Sequence, residues 1–489
     1  MTKKSTMISL IGLFILYSVF IIVQSFEHAD GYLSSDSAHY LQLATNILEG
    51  NGFTTTDLIP EESAYFATWP VGYSILISGV SFVSGFGVFV SSKLVNIMIL
   101  GLCFLLIYLL FKEKAFFVSI VFTISTCTEI FSYTWSEVPF LFGMLWLVYG
   151  MIRYYETEKS SYAVQLSLAS LCLFLMRYIG LIGAGMVGLL GFYYLFQKKW
   201  KPMLVCWISG SIPILLAGGY LWNNLQQTGN ATGMERIPRP ETTAEFFDML
   251  WNGIVVEWNL LSISSEVYVW WSASLVLATF LMFVRWSSIK ALFSKELPGK
   301  RYVPLFFLFA GTIYFIAIVG MRWTSQFDPF NFRLLGPATF MFALALVSWF
   351  VQTEGIHWVR WRRFLLALFA MTVVMNIGLS TYQAVTSNDT DYMDTRRTVL
   401  ATYQEIPSDS IVAMENIHAR YLRPDLQYIK VHFKPYFKEK ESVEAFLDRV
   451  TPNKAEGVYV EHKALSPHRY HESFVQLMEE NSAHFIRLE

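Results

Sequence analysis

Residues 87–111, GVFVSSKLVNIMILGLCFLLIYLLF, run for 25 positions with Lys93 as the lone charge, and the run stops at Lys112-Glu113-Lys114. At about 1.5 Å of rise per residue, a helix of this length crosses a hydrocarbon core of about 30 Å. Stretches of the same kind recur at 7–25, 115–133, 137–155, 162–178, 179–197, 202–222, 267–285, 302–321, 334–351 and 364–383. Together these predict eleven spans, all before residue 384. Composition agrees, because 54% of the 489 residues are hydrophobic and only 15% are charged, against roughly 25% charged in an ordinary soluble domain. The expected fold class is mainly α, a polytopic transmembrane helical bundle of about 11 spans.

Lysine and arginine accumulate on the cytoplasmic side of membrane proteins. Here they fill alternate loops: Lys3 and Lys4; Lys112 and Lys114; Arg153 and Lys159; Lys198, Lys199 and Lys201; Arg285 to Arg301; Arg360, Arg362 and Arg363. The intervening loops are nearly free of them. This predicts a cytoplasmic N-terminus and an extracytoplasmic tail after Gln383, in a multi-pass protein of bacterial inner-membrane type. The first apolar run lacks a small-residue cleavage site after Phe26 and reads as a retained span. The run after Trp69-Pro70 reads as an amphipathic helix on the membrane surface, because counting it as a span would invert every later loop. A second long outer loop, from about Asn223 to Glu266, could cover an outer site.

From about Val385 the composition turns soluble, with helical patterns near 392–405, 443–450 and 472–479 and strand-like runs at 411–414, 428–433, 457–461 and 485–488. The expected organisation is a membrane domain over 1–384, with its first outer loop at about 26–86, and a small extracytoplasmic α/β domain over 385–489. A net charge of −2 argues against nucleic acid as a partner. Cys103, Cys127, Cys172 and Cys206 all lie inside apolar runs without metal-ligand spacing, so neither a disulfide nor a cysteine-bound metal is expected.

The first outer loop reads Asp30-Gly-Tyr-Leu-Ser-Ser-Asp36-Ser-Ala-His39-Tyr40-Leu-Gln-Leu-Ala-Thr-Asn-Ile-Leu-Glu-Gly50. Leu41, Ala44, Ile47 and Leu48 give a short helix, started by Ser35 or Asp36 and stopped at Gly50. Asp36 could therefore be no more than an N-cap. This loop, with Trp69-Pro-Val-Gly-Tyr73, resembles the first outer loop of C-type (GT-C) glycosyltransferases, among them protein O-mannosyltransferases and lipid A aminoarabinose transferases. Further matches follow in order: Trp135-Ser-Glu137-Val-Pro-Phe140 entering the fourth span, Met176-Arg177-Tyr-Ile-Gly180, and Phe332-Arg333-Leu-Leu-Gly-Pro337. Mannosyltransferases carry two adjacent acids at the first position, where this chain has Asp36-Ser37.

The resemblance implies a GT-C-like bundle that transfers sugar from a polyprenyl-phosphate donor to a hydroxyl on a lipid, glycan or protein acceptor, on the extracytoplasmic side and with inversion. Such a donor is already activated, so the enzyme has to deprotonate the acceptor and stabilise the departing phosphate. Asp36 is the candidate base, and Arg177 and Arg333 are candidate phosphate partners through their guanidinium forks. His39 could also hold the phosphate, and Glu137 and Tyr40 would support the site. The plainer alternatives are that each arginine snorkels to the interface or pairs with Glu137, and that His39 only faces headgroups. The chemistry requires no cofactor; a divalent metal is possible but not indicated. Asp389-Thr-Asp391, the Asp-x-Asp pattern of nucleotide-sugar enzymes, reads as chance, and the sequons at Asn230 and Asn388 matter only in a eukaryotic secretory compartment. A polytopic transporter or lipid flippase, a membrane scaffold and a glycan polymerase or ligase remain competing readings.

Overall fold

A computed structural model describes residues 2–55, 65–233, 238–257, 259–261, 266–293, 301–387, 390–408, 410–413, 416–429, 445, 458–461 and 485–488. Eight of its helices are long and apolar enough to cross a membrane: Lys3–Glu27, Val88–Thr123, Glu137–Thr157, Tyr178–Phe196, Trp200–Thr228, Tyr302–Thr324, Phe332–Val351 and Gly355–Thr386. The chain is a polytopic helical membrane protein with a small sheet. Ser160–Met176 and Val269–Phe283 are shorter apolar helices.

One expected span is interrupted. The stretch 115–133 divides into Ala115–Ser119, a 3-10 turn Ile120–Thr123 and a separate helix Ser125–Ser132. Ile124 is extended between them. The hydroxyl of Thr123 donates to the Ile120 carbonyl at 2.8 Å and that of Thr128 to the Ser125 carbonyl at 2.8 Å. Such side-chain bonds offer the backbone an alternative to the helical ladder.

The chain divides into two compact units, 1–25 with 93–220 and 235–388, and 26–92 with 221–234 and 389–489. In the first unit, Glu137–Thr157 packs closely against Ser160–Met176 because two glycines face leucines: a Cβ on Gly143 would fall 2.9 Å from Leu173 Cδ2, and one on Gly150 3.1 Å from Leu166 Cδ2. Small residues at such positions let helix backbones approach. The long segment between about 223 and 266 contributes the helix Thr243–Glu257. It is held by the Arg322–Glu241 ion pair and by Arg239, whose guanidinium lies 3.9 Å from the Trp323 ring centre.

The second unit holds the first outer loop and the tail. Its helices Ser35–Leu48 and Gly72–Ser84 come from the loop. The latter has 13 residues, about 20 Å of helix and short of a membrane crossing. The tail forms a parallel four-stranded sheet in the order Gln427–Ile429, Ile411–Ala413, Val458–Glu461, Phe485–Leu488. A core of Val399, Tyr403, Ile406, Val412, Ala419, Leu426 and Tyr428 packs helix Tyr392–Tyr403 against it. The helices expected at 443–450 and 472–479 lie outside the described residues, apart from Ala445. Asn388 and Asp389 also lie outside, whereas Asp391 is the N-cap of Tyr392–Tyr403, accepting from the Asp394 amide at 2.7 Å.

Candidate active site

Glu137 opens its helix and is wholly buried. A first-turn carboxylate meets the positive end of the helix dipole, yet a charge removed from water also needs an opposite charge beside it. Two arginines supply it. Arg333 Nε donates to Glu137 Oε1 at 2.6 Å, and Arg177 Nη1 lies 3.2 Å from the same oxygen. Local structure fixes both. Asn331 caps the helix Phe332–Val351, its side chain accepting from the amides of Arg333 at 3.0 Å and Leu334 at 3.2 Å. Arg333 thus sits in a first turn, with its guanidinium 5.0 Å from the Trp135 ring centre and Nη1 3.4 Å from Asp328 Oδ2. Arg177 follows the end of Ser160–Met176 in extended conformation, and the chain then turns sharply through Tyr178–Leu181. That turn requires Gly180, where a Cβ would overlap the Leu173 carbonyl at 2.0 Å.

Two guanidinium groups therefore share one buried carboxylate, and the more exposed Asp328 adds a second negative charge beside Arg333. The arginine side chains are 17% and 14% exposed. Each guanidinium carries five N–H donors in a planar fork, a geometry that matches carboxylate and phosphate oxygens.

In the second unit, the helix that carries Asp36 starts differently from expectation. Its N-cap is Ser34, which forms a reciprocal capping box with Ser37: the Ser37 hydroxyl receives the Ser34 amide at 2.9 Å. Asp36 stands one position inside the helix, half-buried, with its cap role taken by Ser34. His39 and Tyr40 are buried. The His39 ring lies 5.0 Å from Trp69, and Tyr40 packs edge-on to Tyr73 at 5.4 Å. From the tail, Arg420 Nη1 approaches His39 Nε2 at 2.7 Å and Nδ1 at 3.3 Å. Beside it, His418 Nδ1 and the Tyr421 hydroxyl are 3.0 Å apart, and Tyr421 and Tyr392 share a further hydroxyl contact of 3.0 Å. Burial pushes the His418 imidazole down to about 4, against the opposing pull of Asp30, and pushes the Tyr392 phenol up to about 12. Gly31, at φ +61°, has room only for hydrogen, since a Cβ would meet Tyr392 Cδ2 at 2.7 Å.

The structure thus brings Glu137, Arg177 and Arg333 into one cluster and places Asp36, His39 and Tyr40 on one helix of the other unit. The sequence reading missed Asp328 and Arg420. Asp328 lies only five residues before Arg333 and was open to inspection as a charge near a span end. Arg420 is 381 residues from His39, and nothing local marks it.

No protein-family profile matches the chain, and no curated protein matches it in sequence. Its fold does match solved structures. ArnT from Cupriavidus metallidurans, solved bound to undecaprenyl phosphate, superposes with a TM-score of 0.53 at 11% identity over 87% of this chain and 86% of that one. The oligosaccharyltransferase AglB from Archaeoglobus fulgidus, solved with an inhibitory peptide and a dolichol-phosphate, gives 0.51 at 10% identity over 86% of this chain. The chain spans 64% of the length of that archaeal enzyme. The fold is shared with these two solved structures.

Proposed function

We propose that the chain is a membrane glycosyltransferase that moves a sugar from a polyprenyl-phosphate donor to a hydroxyl acceptor on the extracytoplasmic face, with inversion. The observation that carries this reading is the pair Arg177 and Arg333, partly exposed and converging on a single buried carboxylate, Glu137, in a GT-C fold. Such a pair suits the phosphate of a polyprenyl-phosphate donor, and the ArnT and AglB structures were solved with the lipid phosphates undecaprenyl phosphate and dolichol-phosphate. Asp36, in the first turn of a helix that Ser34 caps, is assigned the acceptor's proton. The acceptor oxygen bonds to the anomeric carbon as the bond from that carbon to phosphate breaks. The proton passes to the Asp36 carboxylate, and the polyprenyl phosphate leaves with its added charge met by the two guanidinium groups.

The test is a transfer assay on purified protein that offers undecaprenyl-phosphate hexoses in parallel with nucleotide sugars, with a membrane lipid and glycan extract as acceptor. Release of undecaprenyl phosphate coupled to labelling of the extract is the expected outcome. Use of nucleotide sugars alone, or of neither donor, defeats the proposal.

A further inference from the structure

Arg420 belongs to the short helix Ala419–Leu422 in the tail, is 5% exposed, and reaches His39, itself 2% exposed, on the helix Ser35–Leu48. A guanidinium only donates. The ring nitrogen at 2.7 Å, Nε2, must therefore offer a lone pair, and this contact holds the imidazole neutral. Trp69 bears on the same ring at 5.0 Å, so two elements fix it. His39 and Asp36 are three residues apart on one helix and so share a face. A 14-residue helix is marginal by itself and takes its position from what packs on it. We propose that Arg420 is a positioning residue for the transfer reaction: through His39, the C-terminal tail sets the helix face that presents Asp36. This rests on the assignment of Asp36 as base.

Among the described residues, the titratable groups on the elements around His39 are Asp36 and Tyr40 on its own helix, Tyr73 on Gly72–Ser84, and Arg420 and Tyr421 on Ala419–Leu422 with His418 at its start. With Arg420 removed, the lone pair on His39 Nε2 is no longer held by a guanidinium N–H and can accept a proton.

The experiment measures release of undecaprenyl phosphate from an undecaprenyl-phosphate hexose by the full-length chain. Arg420→Met should lower kcat about tenfold to a hundredfold, the scale of a small misplacement of a catalytic group, with the donor KM changed little. Arg420→Lys, which keeps a charged donor, should recover part of that loss. In Arg420→Met the rate should gain an inflection near about pH 6.5 that is absent from the wild type and absent again when His39→Gln is added. Wild-type kcat in Arg420→Met overturns the proposal, as does an inflection that survives in the double variant. If Arg420→Met fails to fold, His39→Gln, which keeps an acceptor for Arg420, has to retain more kcat than His39→Phe, which removes it; equal rates overturn the proposal. A wild type inactive with every polyprenyl-phosphate sugar defeats the transferase reading and this inference with it, whereas an active wild type indifferent to Arg420 defeats this inference alone.

Discussion

Around Glu137, a carboxylate is kept out of water by two guanidinium groups that share one of its oxygens. Around His418 and His39, imidazoles are kept out of water by staying neutral, the first against tyrosine hydroxyls and the second as acceptor of an arginine. The first device keeps formal charge of both signs inside the protein. The second removes charge from two buried rings, and its stability therefore depends on pH. The membrane unit thus carries the features of an anion site, and the loop-and-tail unit those of a mount for one half-buried acid, Asp36. Each difference can be attacked separately.

The largest effect is expected where the pairing is broken. Glu137→Ala leaves two partly buried cations facing each other without their shared partner, a loss of about 3 to 5 kcal/mol when one member of a buried pair is removed. Thermal unfolding of the detergent-purified variant checks this. A Tm within error of wild type would mean that water or Asp328 already neutralises the arginines, and the contrast between the units would collapse.

Acid is the corresponding probe of the second unit. His418 titrates at about 4 when folded, below its ordinary value, because burial disfavours the imidazolium. The stability this provides is complete above about pH 6.5 and disappears as pH falls from there to about 4, by about 3 kcal/mol in all. His418→Gln should flatten the stability profile across that window by a comparable amount. An unchanged acid limb in the variant would assign the loss to other groups.

Asp36→Asn comes next and separates chemistry from stability. Loss of a general base costs on the order of 100-fold in rate, about 2.7 kcal/mol. Because Ser34 and Ser37 hold the helix start, the variant should fold and bind donor normally. Near-normal transfer would remove Asp36 from the reaction; a severe fall in Tm would show that the residue is structural after all.

The sequence made the apolar helices legible because a span of hydrocarbon demands length and mean hydropathy, and both are local quantities. It hid the break at Ile124, since averaging over 115–133 conceals Thr123, Ser125 and Thr128, whose hydroxyls compete for the backbone. Glu137, Arg177 and Arg333 were legible because charge at the end of a span is costly wherever it occurs, and pairing with Glu137 was one of the three readings open to the arginines. The cap was misplaced because Ser34, Ser35 and Asp36 are all good N-cap residues; only the serine pair at spacing three decided among them. Arg420 was beyond reach of any local rule, as its partner depends on how the tail folds onto the loop.

The smallest effect is also the most discriminating for the anion site. Arg333→Lys and Arg177→Lys each keep the charge and lose the planar fork, so a role confined to neutralising Glu137 would survive both substitutions better than a role in holding a phosphate. Loss of one charged hydrogen bond sets the scale at about 1 to 3 kcal/mol in kcat/KM for the donor. Arg333 should suffer more than Arg177. Its Nε is bound to Glu137 at 2.6 Å and its Nη1 faces Asp328, so a lysine there forfeits two directed contacts and the stacking on Trp135, whereas Arg177 meets the same carboxylate with one nitrogen at 3.2 Å. The two losses should combine to less than their sum, because both residues act through one carboxylate oxygen. Donor kinetics that stay at wild-type values in both variants while Tm falls would reduce the pair to counter-ions of Glu137, and the phosphate would have to be held elsewhere.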